Sequence, residues 1–263
     1  MDLKILRRCL LLVCIAMVCV GFFYKNDYKS ISPIDPRAIA APVQTPVADP
    51  TPITFDKDNY HYTLTPLYDY TLDGLVVHTQ QYNVWYFKGD FYSTWNNTFA
   101  NDLCMLWGSN LQNKSYQNPS LSIGQDYRDC WYQYYDAHNF SFNPEEFSNN
   151  HLMASTPQVE QQILSVQAGD QVILKGELVN VNAVAGNNVP AGQPQNLVIN
   201  TSTTRTDTGN GACEVIYVKS IEIIKSGDQI FRIMYSVGWF GIFALAAWFA
   251  GEILVGAFIT KSV

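Results

Sequence analysis

The sequence predicts a mainly β domain of the α+β class, a small OB-like or SH3-like barrel flanked by two transmembrane helices. Three observations predict it. An apolar run stands near each end of the chain, β-branched and period-two runs fill the middle, and the helical patterns among them are few and short. Charged residues make up 15% of the 263 positions. That is well below the roughly 25% of an ordinary soluble protein, as membrane segments require.

Lys4, Arg7 and Arg8 precede an apolar run over 9–23, which meets Tyr24, Lys25 and Asn26. A basic stretch before a hydrophobic one is the layout of a secretory signal. With no A-x-A-like site after it, residues 1–25 read as an uncleaved signal anchor. The run is short for a span, so cleavage stays open as the alternative. Residues 233–259 hold only Tyr235 and Glu252 as ionisable side chains. As a helix they reach about 40 Å, more than the hydrocarbon core needs, and the second span is placed over 232–260. Glu252 reads as a charge near enough to the tail to reach the interface, with a partner helix as the functional alternative. The basic residues before the first span place its N-terminus in the cytoplasm. With two spans, residues 26–231 lie outside it.

Six of the 12 prolines fall between Pro33 and Pro52, so 26–54 reads as an extended, semi-rigid linker. The domain is assigned to 55–228. Tyr60, Tyr62 and Leu64 alternate with polar residues as in a strand, and further strand patterns follow at 72–77 and 84–91. Residues 97–107 read as a short helix with Phe99, Leu103, Leu106 and Trp107 on one face. Asn143-Pro144-Glu145-Glu146 is the cap signature of another. Thr156-Pro157 opens a helix bearing Val159, Ile163 and Val166. Strands follow at 171–181, 197–204 and 213–224, with Gly176 marking a bulge or barrel corner.

The stretches DLCMLWG (102–108), SNNHL (148–152), GDQV (169–172) and RTDTGNGACE (205–214) resemble an uncharacterised family of small bacterial proteins. Those proteins pair an N-terminal apolar segment with one extracytoplasmic domain. The resemblance implies a bacterial inner-membrane anchor with the main domain in the periplasm. It carries over no catalytic residues.

Residues 55–225 hold 17 Asp/Glu against 8 Lys/Arg, a net charge of −9. So acidic a domain has no electrostatic reason to sit on a phosphate backbone, and nucleic acid is excluded as a partner. Cys104 and Cys130 enclose 25 residues and are expected to form a disulfide, leaving Cys213 as the odd thiol. A thiol nucleophile assisted by His151 is the sharp reading of that leftover cysteine, and a buried small residue the bland one. The four histidines lack metal-ligand spacing, and no cofactor is called for. Asp207-Thr208-Gly209 matches the core of aspartic-protease sites, but its polar lead-in favours a turn.

Trp107, His151, Arg205, Asp207 and Glu214 are the candidate binding residues. Arg205 is expected to fold back on Asp207 or Glu214 as a charged latch. The expected function is a non-catalytic, membrane-anchored periplasmic module that binds envelope protein partners in an envelope or secretion-type assembly. A cell-wall glycan binder using the region of Trp85, Trp95, Trp107 and Trp131 is the alternative, and an envelope hydrolase the third reading.

Overall fold

The computed structural model describes residues 3–82, 98–126, 129–136, 141–189, 192–207 and 212–261. The expected strand at 84–91, with Trp85 and Trp95, lies outside them. Among the described residues the α-helices are α1 (Leu3–Tyr24), α2 (Ser109–Gln112), α3 (Pro157–Ser165) and α4 (Gln229–Lys261). The strands are β1 (Val43–Pro46), β2 (Ile53–Lys57), β3 (Tyr60–Gln81), β4 (Asn101–Leu106) and β5 (Leu121–Asp126). They continue with β6 (Asp129–Tyr134), β7 (Phe147–Ala154), β8 (Gln171–Ala185), β9 (Asn196–Ile199) and β10 (Cys213–Lys225). The chain divides into two compact units, Met1–Asp27 with Gly227–Val263, and Tyr28–Ser226.

The first unit is a pair of helices. Both are long and apolar enough to cross a membrane, with mean hydropathy 2.3 over Leu3–Tyr24 and 1.7 over Gln229–Ile253. They run antiparallel, because the end of α1 meets the start of α4 and the start of α1 meets its end. Tyr24 packs on Phe231 with ring centroids 5.2 Å apart. Gly238 lets the two backbones approach: a Cβ there would stand 2.9 Å from the Cys14 carbonyl oxygen. At the other end Arg7 Nη1 donates to Glu252 Oε2 at 2.6 Å, its second amine meets Oε1, and the guanidinium lies 4.1 Å over the Trp248 ring. Glu252 is thus paired with the chain's own first helix.

The second unit is mainly β sheet with short helices. β3 pairs with β4, β4 with β7, β7 with β10, β10 with β8, and β8 again with β3, so the pairings form a closed circuit. Every pair in it is antiparallel except β7–β10, which is parallel. β1 and β2 add to the edge of β3, β9 to that of β8, and β5–β6 is a separate hairpin. β3 serves two neighbours in turn because it is 22 residues long, with an irregularity between Pro66 and Tyr68. Gly176 faces a matching irregularity between Val218 and Ser220 of β10. Its missing side chain is required, since a Cβ would stand 2.3 Å from the Tyr217 carbonyl oxygen.

Leu72, Leu103, Met105, Leu152, Leu174, Leu178, Ile216 and Val218 form the main core with Val159 and Ile163 of α3. α3 starts as its sequence dictates: Thr156 Oγ1 accepts from the Val159 amide at 3.2 Å, and Pro157 fills the first turn.

Within the stretch 97–107 expected to be a helix, Asn101–Leu106 are instead strand β4. Its Leu103 and Met105 enter the main core. The opposite face, with Cys104 and Leu106, is covered by Ile31, Ala38, Leu111, Tyr116 and Leu121. A strand buried on both faces loses its alternation, and its apolar spacing then imitates a helix. Pro144–Glu146 is one 3₁₀ turn rather than a helix, although Asn143 caps it as expected. The Pro-rich stretch 30–54 is not a free spacer. Ile31 and Ala38 are buried in the core, and β1 and β2 join the sheet.

Candidate functional site

Three of the sequence stretches singled out above lie on adjacent strands. In register, Cys104 of β4 stands beside Asn149 of β7, and Asn149 beside Cys213 of β10. Asp102 likewise stands beside His151. Because side chains alternate along a strand, Asp102, Cys104, Asn149, His151 and Cys213 all project from one face, opposite the main core.

Asp102 and His151 form a buried pair, Oδ2 to Nδ1 2.7 Å, with side-chain exposures of 0% and 4%. The Tyr82 hydroxyl donates to the same carboxylate oxygen at 2.5 Å and Gln125 Nε2 at 3.3 Å. Gln125 Oε1 in turn meets His78 Nδ1 at 3.3 Å. The Phe99 ring stacks on His151 with centroids 5.0 Å apart. Burial by itself would lower the His151 pKa. The Asp102 charge and hydrogen bond, with a further hydrogen bond to Cys213, outweigh it and lift the imidazole to about 10. His151 is therefore an imidazolium at neutral pH, held between a carboxylate and a sulfur.

Cys104 and Cys130 are joined, with Cα atoms 5.8 Å apart, and Cys213 is a free, half-buried thiol. The Asn149 amide lies between them: Oδ1 is 3.2 Å from Cys130 Sγ, and Nδ2 donates to Cys213 Sγ at 3.4 Å. Asp129 Oδ1 is 3.9 Å from the Cys213 sulfur. A cleft of about 410 Å³ opens here, walled by Trp131, Tyr132, Asn149, Asp207 and both Cys130 and Cys213.

Arg205 and Glu214 form the latch expected of them, on the other face of β10. Arg205 Nη2 is 2.7 Å from Glu214 Oε1, while Nη1 donates to the Tyr70 hydroxyl at 2.7 Å and the guanidinium stacks over that ring. Glu214 is 3% exposed. Burial pushes its carboxyl up to about 7 even though Arg205 opposes the shift. Asp207 takes no part in this pair; it accepts from the Ser202 hydroxyl and borders the cleft. Trp107 is buried in the main core, so it packs and presents no binding face.

No family model, no curated protein and no solved structure matches this chain.

Of the five candidate residues, His151 and Asp207 are near the cleft, Arg205 and Glu214 make the latch, and Trp107 belongs to the core. Sequence reasoning passed over Asp102, Gln125 and Asp129, and it read Asn149-Asn150-His151 as a loop or turn where the structure has strand β7. Asp102 had a usable signal, a carboxylate directly before the four apolar residues that complete β4, since a buried charge in such a run needs a partner. Among the described residues no group of three His, Cys, Asp or Glu side chains is placed to hold a metal ion.

Proposed function

We propose that this chain is a tethered binding module of the bacterial envelope, with its domain in the periplasm and its cleft receiving an extended, basic segment of a partner protein. The observation that carries the reading is the cleft lining. It combines Trp131, Tyr132 and Phe147 with the carboxylates of Asp129 and Asp207, and among the described residues that line it there is no Lys or Arg. Aromatic walls favour a desolvated chain and paired carboxylates favour a cationic one. A phosphate-rich ligand would meet repulsion.

The strand circuit supports an OB-type barrel as the scaffold. Its order is β3-β4-β7-β10-β8, its parallel pair is third with fifth, and α3 lies between third and fourth. An OB barrel would have this connectivity when strands are counted along the chain, and barrels of that kind bind ligands beside their second and third strands, here β4 and β7. The antiparallel α1–α4 pair supports a topology with both chain ends on the cytoplasmic side, in line with Lys4, Arg7 and Arg8. Kinship with the small bacterial family belongs to the same proposal, since its motifs supply Asp102, His151 and Cys213. Cell-wall glycan is a second reading, favoured by the Trp131 and Tyr132 rings in the cleft.

A photoreactive phenylalanine placed at Tyr132 of the full chain tests this in native membranes. A discrete protein adduct, abolished by Asp129→Lys with Asp207→Lys, is the expected result. Adducts that persist in the charge-reversed chain would refute the cleft as the binding site. Retention on peptidoglycan without any protein adduct would transfer the site to glycan.

A further inference from the structure

We propose that the cleft holds its partner by strand addition: an extended, cation-bearing peptide segment pairs its backbone with the open edge of β6. The inference rests on the partner-binding reading above and names how that partner is held.

The cleft follows an edge of β6 rather than a face. Asp129, Cys130, Trp131 and Tyr132 are consecutive in this strand, and all four border the cleft. Side chains alternate along a strand, so a cavity on one face would meet every second residue. A cavity bordered by four in a row runs beside the backbone. Among the described residues β6 pairs with β5 alone, which leaves its second edge open.

The phase of that pairing fixes which backbone groups line the open edge. The Tyr135 amide donates to the Ser120 carbonyl at 3.1 Å, one step beyond the register pair Leu121 and Tyr134. Hydrogen-bonded and non-hydrogen-bonded pairs alternate in an antiparallel ladder. Trp131 and Gln133 therefore direct their amides and carbonyls to β5, while those of Cys130 and Tyr132 point to the open side. The cleft also borders Phe147 and Ser148 of β7. β10 begins opposite Asn149, so no described strand lies beside these two residues on that side. Four residues of β6 span about 10 Å, room for three or four residues of an added strand.

Charge selects the occupant. Asp129 and Asp207 border the cleft, and neither joins an ion pair among the described residues. A second copy of this chain would bring its own Asp129 to the same edge, on a domain of net charge −9. A segment bearing Lys or Arg meets complementary charge instead. Asp129 and Trp131 project to one side of β6 and Tyr132 to the other, where its ring lies 6.1 Å from that of Phe147. An added strand would thus set a cationic and an apolar residue, two apart, against Asp129 and Trp131.

The test uses the full chain in detergent micelles and a library of acetylated, amidated octapeptides, each with one Lys or Arg two residues from an aromatic residue. The tightest binder is remade with a single backbone N-methyl group at each position in turn. Strand addition predicts a period of two. Methylation at alternate central positions should weaken binding about tenfold, and at the positions between by less than about twofold. Tyr132→Ala removes the ring, and Tyr132→Pro removes the outward amide as well, which an edge strand tolerates. The proline chain is expected to bind about fivefold more weakly than the alanine chain. Binding that Asp129→Lys with Asp207→Lys abolishes, but that shows no period in the N-methyl series, would overturn strand addition and leave the cleft reading standing. No binder at all, or binding indifferent to the charge reversal, would overturn both. A peptide-free mass of two chains that Tyr132→Pro returns to one would give the edge to self-pairing and overturn the proposal too.

Discussion

The guanidinium of Arg205 closes on the buried carboxylate of Glu214 at 2.7 Å and shares its other amine with the Tyr70 hydroxyl. The pair lies on the core-facing side of β10, one residue along from the thiol that faces the cleft, so a buried ion pair and a free thiol sit back to back on one strand. Removing either partner strands the other in an apolar setting.

Arg205→Ala is expected to lower domain stability by about 3 kcal/mol at pH 8, where Glu214 is charged. The loss should shrink to about 1 kcal/mol at pH 5, where a protonated Glu214 needs no cation and only the bond to Tyr70 is missing. The intact chain shows the same linkage. A carboxyl raised to about 7 in the fold binds its proton more tightly than in the unfolded chain, so stability falls as pH climbs from about 4.5 through 7. Glu214→Gln should flatten that fall. Thermal melts of the three proteins between pH 5 and pH 8 decide it, and parallel curves would contradict the pairing.

His151 extends the decline into alkali. Its pKa is raised in the fold, so its contribution is fully present below the ordinary imidazole value and is lost as pH rises toward 10. Melting temperature should therefore drop between pH 7 and pH 10. Asp102→Asn should melt lower at pH 7 and change less over that range. An imidazole resonance of His151 that titrates near 6.5 in the folded chain would defeat this account.

Cys104→Ser with Cys130→Ser should cost about 3 kcal/mol, as loop closure over this separation requires. The double variant avoids leaving a stray thiol opposite Asn149. Denaturant midpoints of oxidised and variant chains measure it. Equal midpoints would show that the strands alone fix the loop.

Gly241→Cys should join α1 to α4. A Cβ at this position stands 3.6 Å from the Cβ of Cys14, within the range of real disulfides. Copper-phenanthroline treatment of membranes, followed by protease cleavage within the domain, should leave the two helices linked on a non-reducing gel. Separate fragments would rule out the antiparallel pairing. A reporter fused after Val263 should then be active in the cytoplasm.

The elements with local signals were legible. Thr156 and Pro157 announce α3 because a cap and a fixed φ act within one turn, and the two terminal helices announce themselves by hydropathy alone. β4 misled because both of its faces are covered, one by the main core and one by residues far upstream and downstream. The Cys104–Cys130 bond was legible from compartment and spacing. The grouping of Asp102, Asn149, His151 and Cys213 was not, since it depends on the register of β4 and β10 against β7, and one residue of slip would turn each side chain to the other face. Glu252 looked isolated because its partner, Arg7, is near the opposite end of the chain.

The place of β10 as the final strand also sets an order of events at the ribosome. Cys104 and Cys130 emerge long before Cys213, so an oxidant acting on the nascent chain meets these two as the domain's first pair of cysteines. β7 and β8 wait without their common neighbour until residues 213–225 arrive, and only then does a third sulfur come to rest beside the finished bond. Timing enforces a pairing that proximity in the completed fold would leave ambiguous. A circularly permuted chain that presents β10 first would lose that protection, and its cysteines should scramble.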